Sequence, residues 1–179
     1  HTVLAEAGQP QSAPAVRRVI TEAVTPKGEL SFIAENARSH VIRICHPWGM
    51  DVTPILREVS AAVRAAGWSV EEHLRPAVPG QLLHVGIPGL DTLITTSDAL
   101  PSEMTFDFSG CVCRSALMRQ ECAMEQGRAA IKLHMHRAVG ALAQAKQLHD
   151  ELETFYVPNM DFECWQKKLD KTLETLADT

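Results

Sequence analysis

The residues that most suggest chemistry form a nine-residue turn, residues 45–53, between a predicted strand and a predicted helix. Its members are Cys45, His46, Pro47, Trp48, Gly49, Met50, Asp51, Val52 and Thr53. Ligands of open α/β proteins bind at the carboxyl ends of strands, where such a turn lies. A phosphate site there needs glycines for close backbone approach, a lysine for the phosphates and a Ser or Thr for Mg²⁺. The length fits but most of that chemistry is missing, so the turn is a candidate altered phosphate loop.

Narrower hypotheses also arise within this turn. His46 and Asp51 would suit an acid–base pair or two metal ligands. Cys45 beside His46 would suit a nucleophile and its base, but neighbours along an extended chain point to opposite sides. We expect instead that the turn packs or caps, with no catalytic residue.

Cysteine and histidine spacing argues against a metal site. Cys111 and Cys113 are separated by one residue, which is not the spacing of a CxxC pair. His134 and His136 lie two apart in a predicted helix, so their side chains do not face each other. Five cysteines form no dense disulfide framework, and a core of this size needs none. We therefore predict no metal, reduced thiols and a cytoplasmic location.

Hydrophobic periodicity predicts the strands and the helix that position the turn. Apolar, β-branched runs predict strands over 40–45, 68–73, 82–87 and 91–96. Apolar residues at spacings of three and four predict a helix after the first of these strands, with Thr53 as its N-cap and Pro54 at its first position, ending at Gly67. Residues 25–28 predict a type I turn. This alternation indicates an α/β fold with a mainly parallel sheet.

The C-terminal part is predicted to be helical. A helix from about 114 to 155 ends before Pro158, and Asp161 caps a last helix. One stripe of that last helix is apolar and indicates packing in a core or an interface. Its residues are Phe162, Trp165, Leu169, Leu173 and Leu176. Residues 1–16 contain prolines, serine and glycine and are predicted to be a flexible leader or linker, with a single domain over 17–179.

Composition excludes several classes of function. The chain has 179 residues and a formal net charge of -5, which argues against nucleic-acid binding through bulk positive charge. No apolar run approaches the length of a membrane span, and the first residues lack the pattern of a signal peptide. Neither nucleic acid nor membrane is therefore an expected partner.

The sequence resembles an uncharacterised bacterial family of P-loop ATPase-like proteins in which an NTPase domain is duplicated. The resemblance covers about residues 18–178, and its last stretch is the most specific. It is carried by Thr25–Gly28, by 41–71, by His84–Leu90, and by Ala145–Glu153 followed by Tyr156–Phe162. It implies a P-loop NTPase-like fold: a mainly parallel sheet flanked by helices, with a helical C-terminal part. It also implies a sister NTPase-like domain or a homodimer as partner.

The departures from that family concern its functional residues. The family's Walker A loop resembles G-x-P-G-T-G-K-S-T. Laid on this sequence, its proline and last threonine remain as Pro47 and Thr53, while its lysine position holds Asp51. Further mismatches are Cys45, Trp48 and Met50 for glycines and Val52 for serine. The acidic Walker B position falls on Thr96, two residues before Asp98.

These departures favour a non-catalytic domain that acts through domain or partner contacts, with no cofactor expected. One alternative is an ATPase or GTPase with an atypical phosphate loop, which would bind ATP and Mg²⁺. It would need Lys27, Arg43 or Arg57 in place of the missing lysine. Another alternative is a metal- or thiol-dependent regulator that uses the cysteines.

Overall fold

Eight strands and three α-helices follow one another along residues 13–177, which are the residues that this computed structural model describes. The strands are β1 (Val16–Ile20), β2 (Glu22–Thr25), β3 (Gly28–Ser31), β4 (His40–Cys45), β5 (Val70–Leu74), β6 (Leu82–Ile87), β7 (Thr92–Thr95) and β8 (Met104–Asp107). The helices are α1 (Thr53–Ala65), α2 (Arg114–Tyr156) and α3 (Phe162–Ala177). The fold is therefore mixed α/β with a helical C-terminal part.

Six of these strands form one sheet in the order β1-β5-β6-β7-β4-β8, and β2 and β3 form a separate hairpin. Strand pairs β1–β5, β4–β7 and β4–β8 are parallel, whereas β6 is antiparallel to both of its neighbours. Only short segments join β5 to β6 and β6 to β7. Because a parallel crossover needs a dozen or more residues, these joints dictate antiparallel pairing. The sheet is mostly parallel, as its sequence pattern predicts.

Helix α1 covers one face of the sheet. It buries Leu56 completely against strand residues such as Ile44, Val85 and Ile94. Its predicted end is confirmed, since Gly67 has a φ of +89° just beyond the last turn and donates its N–H to the carbonyl of Arg64 at 2.9 Å. This packing fixes the start of α1, and therefore the end of the turn at 45–53, against the sheet.

The opposite face of the sheet carries a buried polar row. On β5, Glu72 faces α1, where it accepts a hydrogen bond from Ser60 at 2.8 Å. Alternation therefore points Glu71 and His73 to the other face. Glu71 is 8% exposed and accepts a hydrogen bond from Arg38 at 2.8 Å. His73 stacks edge-on against His84, with 5.8 Å between ring centroids.

Folding stability should fall in mild acid because of this polar row. Burial, with smaller contributions from His73 and Arg75, lowers the pKa of His84 from 6.5 to about 3. Burial also lowers the pKa of His73, against the opposing effect of Glu71. Between about pH 3 and pH 6.5, His84 is protonated in the unfolded chain but neutral in the folded chain. The free energy of unfolding is therefore fully retained above pH 6.5 and falls by up to ~1.4 kcal/mol per pH unit below it.

Chemical denaturation at pH 7 and pH 5 measures this fall. A His84→Gln variant provides the control, because it removes the titrating group while keeping an amide that can bind the Thr95 hydroxyl, 2.8 Å from His84 Nδ1. We expect a smaller difference between the two pH values in the variant. An equal fall in both proteins would contradict the assignment to His84.

The C-terminal helices extend away from the sheet. Apart from Glu153, the half-buried residues of α2 lie in its first part and belong to one stripe: Ala116, Leu117, Met124, Gly127, Met135 and Val139. From residue 140 onward every described residue except Glu153 is exposed. We call residues 140–177 the helical arm. None of the helices within 13–177 has the length and apolarity that a membrane span requires.

Among the residues that the structure describes, the apolar stripe of α3 is not part of a core. Phe162, Trp165, Leu169, Leu173 and Leu176 are all exposed, from 36% at Leu169 to 68% at Leu176. The cap of this helix is as predicted, because Asp161 accepts a hydrogen bond from the backbone N–H of Cys164 at 2.9 Å. The core role expected for the stripe is therefore not seen within residues 13–177, and the interface role stays a prediction.

Several predicted boundaries differ from the structure. Strands at 40–45 and 82–87 are confirmed to the residue, and the turn at 25–28 joins β2 to β3. The strand expected at 68–73 begins at Val70, because Trp68 is buried in the α1 core instead. Residues 1–12 of the predicted leader lie outside the described residues, and its last residue, Val16, begins β1.

Candidate functional site

The altered loop, residues 45–53, runs from the last residue of β4 to the first residue of α1. Gly49 has a φ of +87°, in the region that favours glycine. Met50 donates its N–H to the carbonyl of Pro47 at 3.2 Å, which closes a tight turn. The His46 ring donates from Nδ1 to that same carbonyl at 3.1 Å. The hydrogen bond of His46 is thus made within the loop.

The start of α1 carries a carboxylate of the chain itself. Asp51 Oδ1 accepts the backbone N–H of Thr53 at 2.9 Å. Hydrogen bonds from the Thr53 side chain and backbone hold the pKa of Asp51 below its ordinary 3.8. Such an N–H at a helix start is what a phosphate would otherwise bind. The N–H that could bind a phosphate here is therefore already bound by a carboxylate of the chain itself.

Thr53 is not the N-cap that its sequence context predicts. Val52 occupies that position, and Thr53 is the first residue of the helix. The Thr53 hydroxyl accepts the backbone N–H of Leu82 on β6 at 3.2 Å. That contact ties the loop to the sheet, while Asp51 supplies the capping oxygen in its place. Thr53 is 7% exposed.

Trp48 packs the altered loop against helix α2. The Arg128 guanidinium lies 4.7 Å from the centroid of the Trp48 ring, which is the distance of a cation–π contact. A Cβ on Gly127 would lie in ordinary van der Waals contact with the ring, 3.7 Å from Cη2. A Cβ on Gly49 would lie 3.7 Å from the Met124 side chain. The mouth of the loop therefore faces α2.

A small cavity of about 270 Å³ lies beside this contact. Pro47 and Trp48 form its loop side, and α2 forms the rest. The helix residues are Arg114, Leu117, Met118, Glu121, Met124, Glu125 and Arg128. Two arginines and two glutamates in one lining balance each other, so the cavity has no net charge to select a phosphate.

Parallel pairing brings two more strand ends to the edge where the loop begins. Thr96, at the Walker B position of the resembled family, directly follows β7. Asp98 is exposed two residues further on. Asp107 pairs with Cys45 in the β4–β8 register, and hydrogen bonds from Ser109 lower its pKa from 3.8. Asp107 is not predicted from the sequence, because the apolar–polar alternation of β8 covers only four residues, all of them exposed.

The three basic side chains, one of which would have to replace the loop lysine, lie in different places. Arg57 borders the loop with Asp51 but donates to the carbonyl of Gly80 at 2.9 Å. Arg43 donates to the carbonyl of Leu100. Lys27 lies at the hairpin turn, beside the middle of the helical arm. Arg57 is thus the one of the three that borders the loop.

Metal and thiol chemistry find little geometric support in the part of the chain that the structure describes. The group of three possible ligand side chains found there is His149, Asp150 and Glu153 on the exposed arm. It includes neither the cysteines nor His134 and His136. All five cysteines are free, and Cys45 is half-buried while the other four are exposed. A hydrogen bond with Ser115 lowers the pKa of Cys113 from 9.0.

The site therefore consists of a loop with the length and position of a phosphate loop, an internal carboxylate and a tryptophan docked on a long helix. Comparisons of the chain with protein-family models, curated proteins and solved structures find no match.

Proposed function

We propose that this chain is a non-catalytic P-loop NTPase-like domain that acts by binding another protein surface through its helical arm. The observation that carries the proposal is the docking of Trp48 on α2, with Arg128 over its ring at 4.7 Å. The family has a glycine at this position for close backbone approach to phosphate, whereas Trp48 places there a large side chain that packs on α2. The loop thus works as a structural joint between the sheet and α2.

Electrostatics supports the same conclusion. Asp51 stands at the position of the family's lysine and keeps its charge, since the Thr53 hydrogen bonds favour the carboxylate. A carboxylate about 4 Å from a phosphate charge repels it by about 4 kcal/mol at an effective dielectric constant of 20. The lysine's attraction is lost as well. Mg-ATP binding should therefore be weak.

The helical arm supplies the interaction surface. Beyond residue 139 it exposes large apolar side chains on both of its helices, among them Leu148 at 66%, Phe155 at 73% and Trp165 at 57%. Exposed apolar patches of this extent mark interfaces. Four exposed cysteines without a disulfide fit a reducing compartment, so we place this activity in the cytoplasm.

Two other functions compete with this one. An ATPase or GTPase would require Arg57 to leave Gly80 and reach a phosphate past Asp51. A thiol-dependent regulator would use Cys113, whose lowered pKa favours the thiolate. Loss of activity or binding on Arg57→Ala or on Cys113→Ser, respectively, would identify either one.

Nucleotide titration tests the proposal. We expect calorimetry with Mg-ATP and with Mg-GTP to show no saturable binding up to about 10 mM nucleotide. That concentration is about ten times the upper end of usual KM values. Saturable, Mg²⁺-dependent binding would contradict it.

Restoring the missing lysine should not create an enzyme. The Asp51→Lys variant should show no measurable ATP turnover, because Trp48 still stands where close backbone approach needs glycine and Thr96 provides no carboxylate for Mg²⁺. The Asp51→Asn variant is the matched control, since it removes the charge and keeps an oxygen for the Thr53 N–H. Turnover by Asp51→Lys above that of the control would show that the loop remains competent for phosphate.

A further inference from the structure

One face of α2 carries a continuous seam in its outer part. The seam residues follow one another at spacings of three and four, which is the spacing of a coiled coil. They are Ala138, Ala141, Ala145, Leu148, Leu152 and Phe155. All six are exposed, with Leu148 at 66%, Leu152 at 57% and Phe155 at 73%. The inner three are alanines and the outer three are large.

Within residues 13–177 the seam is left uncovered. The hairpin turn at Pro26 and Lys27 approaches a different side of α2, which is lined by Ala143, Lys146, Gln147, Asp150, Glu151 and Thr154. At about 100° per residue, those residues lie on the side of the helix opposite to the seam. A second helix can therefore lie along the seam without displacing the hairpin.

We propose that a second copy of this chain covers the seam, with the two α2 helices antiparallel; this rests on the proposed function of the helical arm. Antiparallel pairing about a two-fold axis sets each large residue against an alanine of the other copy. The layers are Ala138 with Phe155, Ala141 with Leu152, and Ala145 with Leu148, each occurring twice. Such layers have nearly equal volumes and allow close packing over about 27 Å of helix. Parallel pairing would set Phe155 against Phe155 and alanine against alanine, leaving uneven layers.

Side-chain size alone favours this orientation. Asp150 and Glu151 lie on the hairpin side of α2, away from the seam, and Asp150 is paired with Lys146 of the same helix at 2.7 Å. The seam is self-complementary because its three alanines precede its three large residues, so a second copy fits it in the antiparallel orientation.

Sedimentation of the 179-residue chain tests the seam. We expect the unmodified chain to be a dimer at about 10 μM, within the concentration range of common protein–protein affinities. Leu148→Asp should weaken dimerisation at least tenfold, because it places a charge in two central layers. Leu133→Asp is the matched control, since Leu133 is 48% exposed on α2 but lies off the seam, and it should leave the dimer intact. A monomer in the unmodified chain would overturn the proposal.

Disulfide trapping tests the orientation. The background has all five cysteines replaced by serine and is first shown to dimerise like the unmodified chain. Ala141→Cys mixed with Leu152→Cys should give a crosslinked dimer, whereas each alone should not, because identical positions lie about 16 Å apart. Crosslinking of each variant alone would overturn the antiparallel arrangement.

Failure here is distinguishable from failure of the proposed function. If Leu169→Asp on α3 dissolves the dimer and Leu148→Asp does not, the α2 seam is wrong but the arm still mediates binding. If Mg-ATP binds saturably, the proposed function is wrong whatever the oligomeric state.

Discussion

Replacing Leu56 with alanine should lower the free energy of unfolding by about 2–5 kcal/mol. Leu56 is 0% exposed and lies at the centre of the core between α1 and the sheet. Removing three carbons there leaves a cavity that Ile44, Val85 and Ile94 cannot fill without moving their strands. Since natural domains are stable by only about 5–15 kcal/mol, this loss is a large share of the total. Urea denaturation followed by circular dichroism measures it.

Leu133→Ala serves as the control for this cavity. Leu133 is 48% exposed on α2, so the same truncation should change the free energy of unfolding by less than about 0.5 kcal/mol. Equal effects at Leu56 and Leu133 would mean that the core is not centred on α1.

Gly89→Ala should destabilise the fold by about 1–3 kcal/mol through overpacking. A Cβ on Gly89 would lie 2.5 Å from Cε3 and 2.6 Å from Cζ3 of Trp68. The Trp68 ring is 6% exposed and belongs to the same core as Leu56. Neither the indole nor the turn before β7 can therefore move away freely. The denaturation midpoint should fall with little change in its slope.

Gly110→Ala separates this overlap from a general effect of losing a glycine. Nothing lies within 4 Å of a Cβ at Gly110, and its φ is not in the positive region. We expect that variant to be as stable as the unmodified chain. A stable Gly89→Ala variant would show that Trp68 is more mobile than its burial indicates.

Local sequence predicted much of the sheet but not its surroundings. Strands β4 and β6 are dense in apolar residues and end at turn residues, so periodicity located both. Strand β8 is four exposed residues at the sheet edge, and its alternation is too short to predict a strand. The stripe of α3 lies on a helix, as predicted. Whether the stripe is buried depends on the distance between the end of α2 and the sheet. That distance is a property of the whole fold.

The altered loop shows the same limit. Its length, its position after β4 and its missing lysine are visible in the sequence. The docking of Trp48 on Gly127 and Arg128 joins residues about 80 positions apart, and no local pattern encodes such a contact. Likewise, the Thr53 hydroxyl was expected to cap its own helix, and only the proximity of Leu82 on β6 explains why it does not.

The position of Trp48 under Arg128 also gives the molecule an optical signal. Of the three tryptophans, Trp68 is buried and Trp165 is well exposed, while Trp48 is 39% exposed and lies between the loop and α2. A Trp68→Phe, Trp165→Phe variant would leave Trp48 as the single emitter. If α2 lifts from the loop while the sheet stays folded, the guanidinium leaves the indole and water replaces it. Emission would then shift to longer wavelength before far-ultraviolet circular dichroism changes, so separation of helix and loop can be timed independently of unfolding.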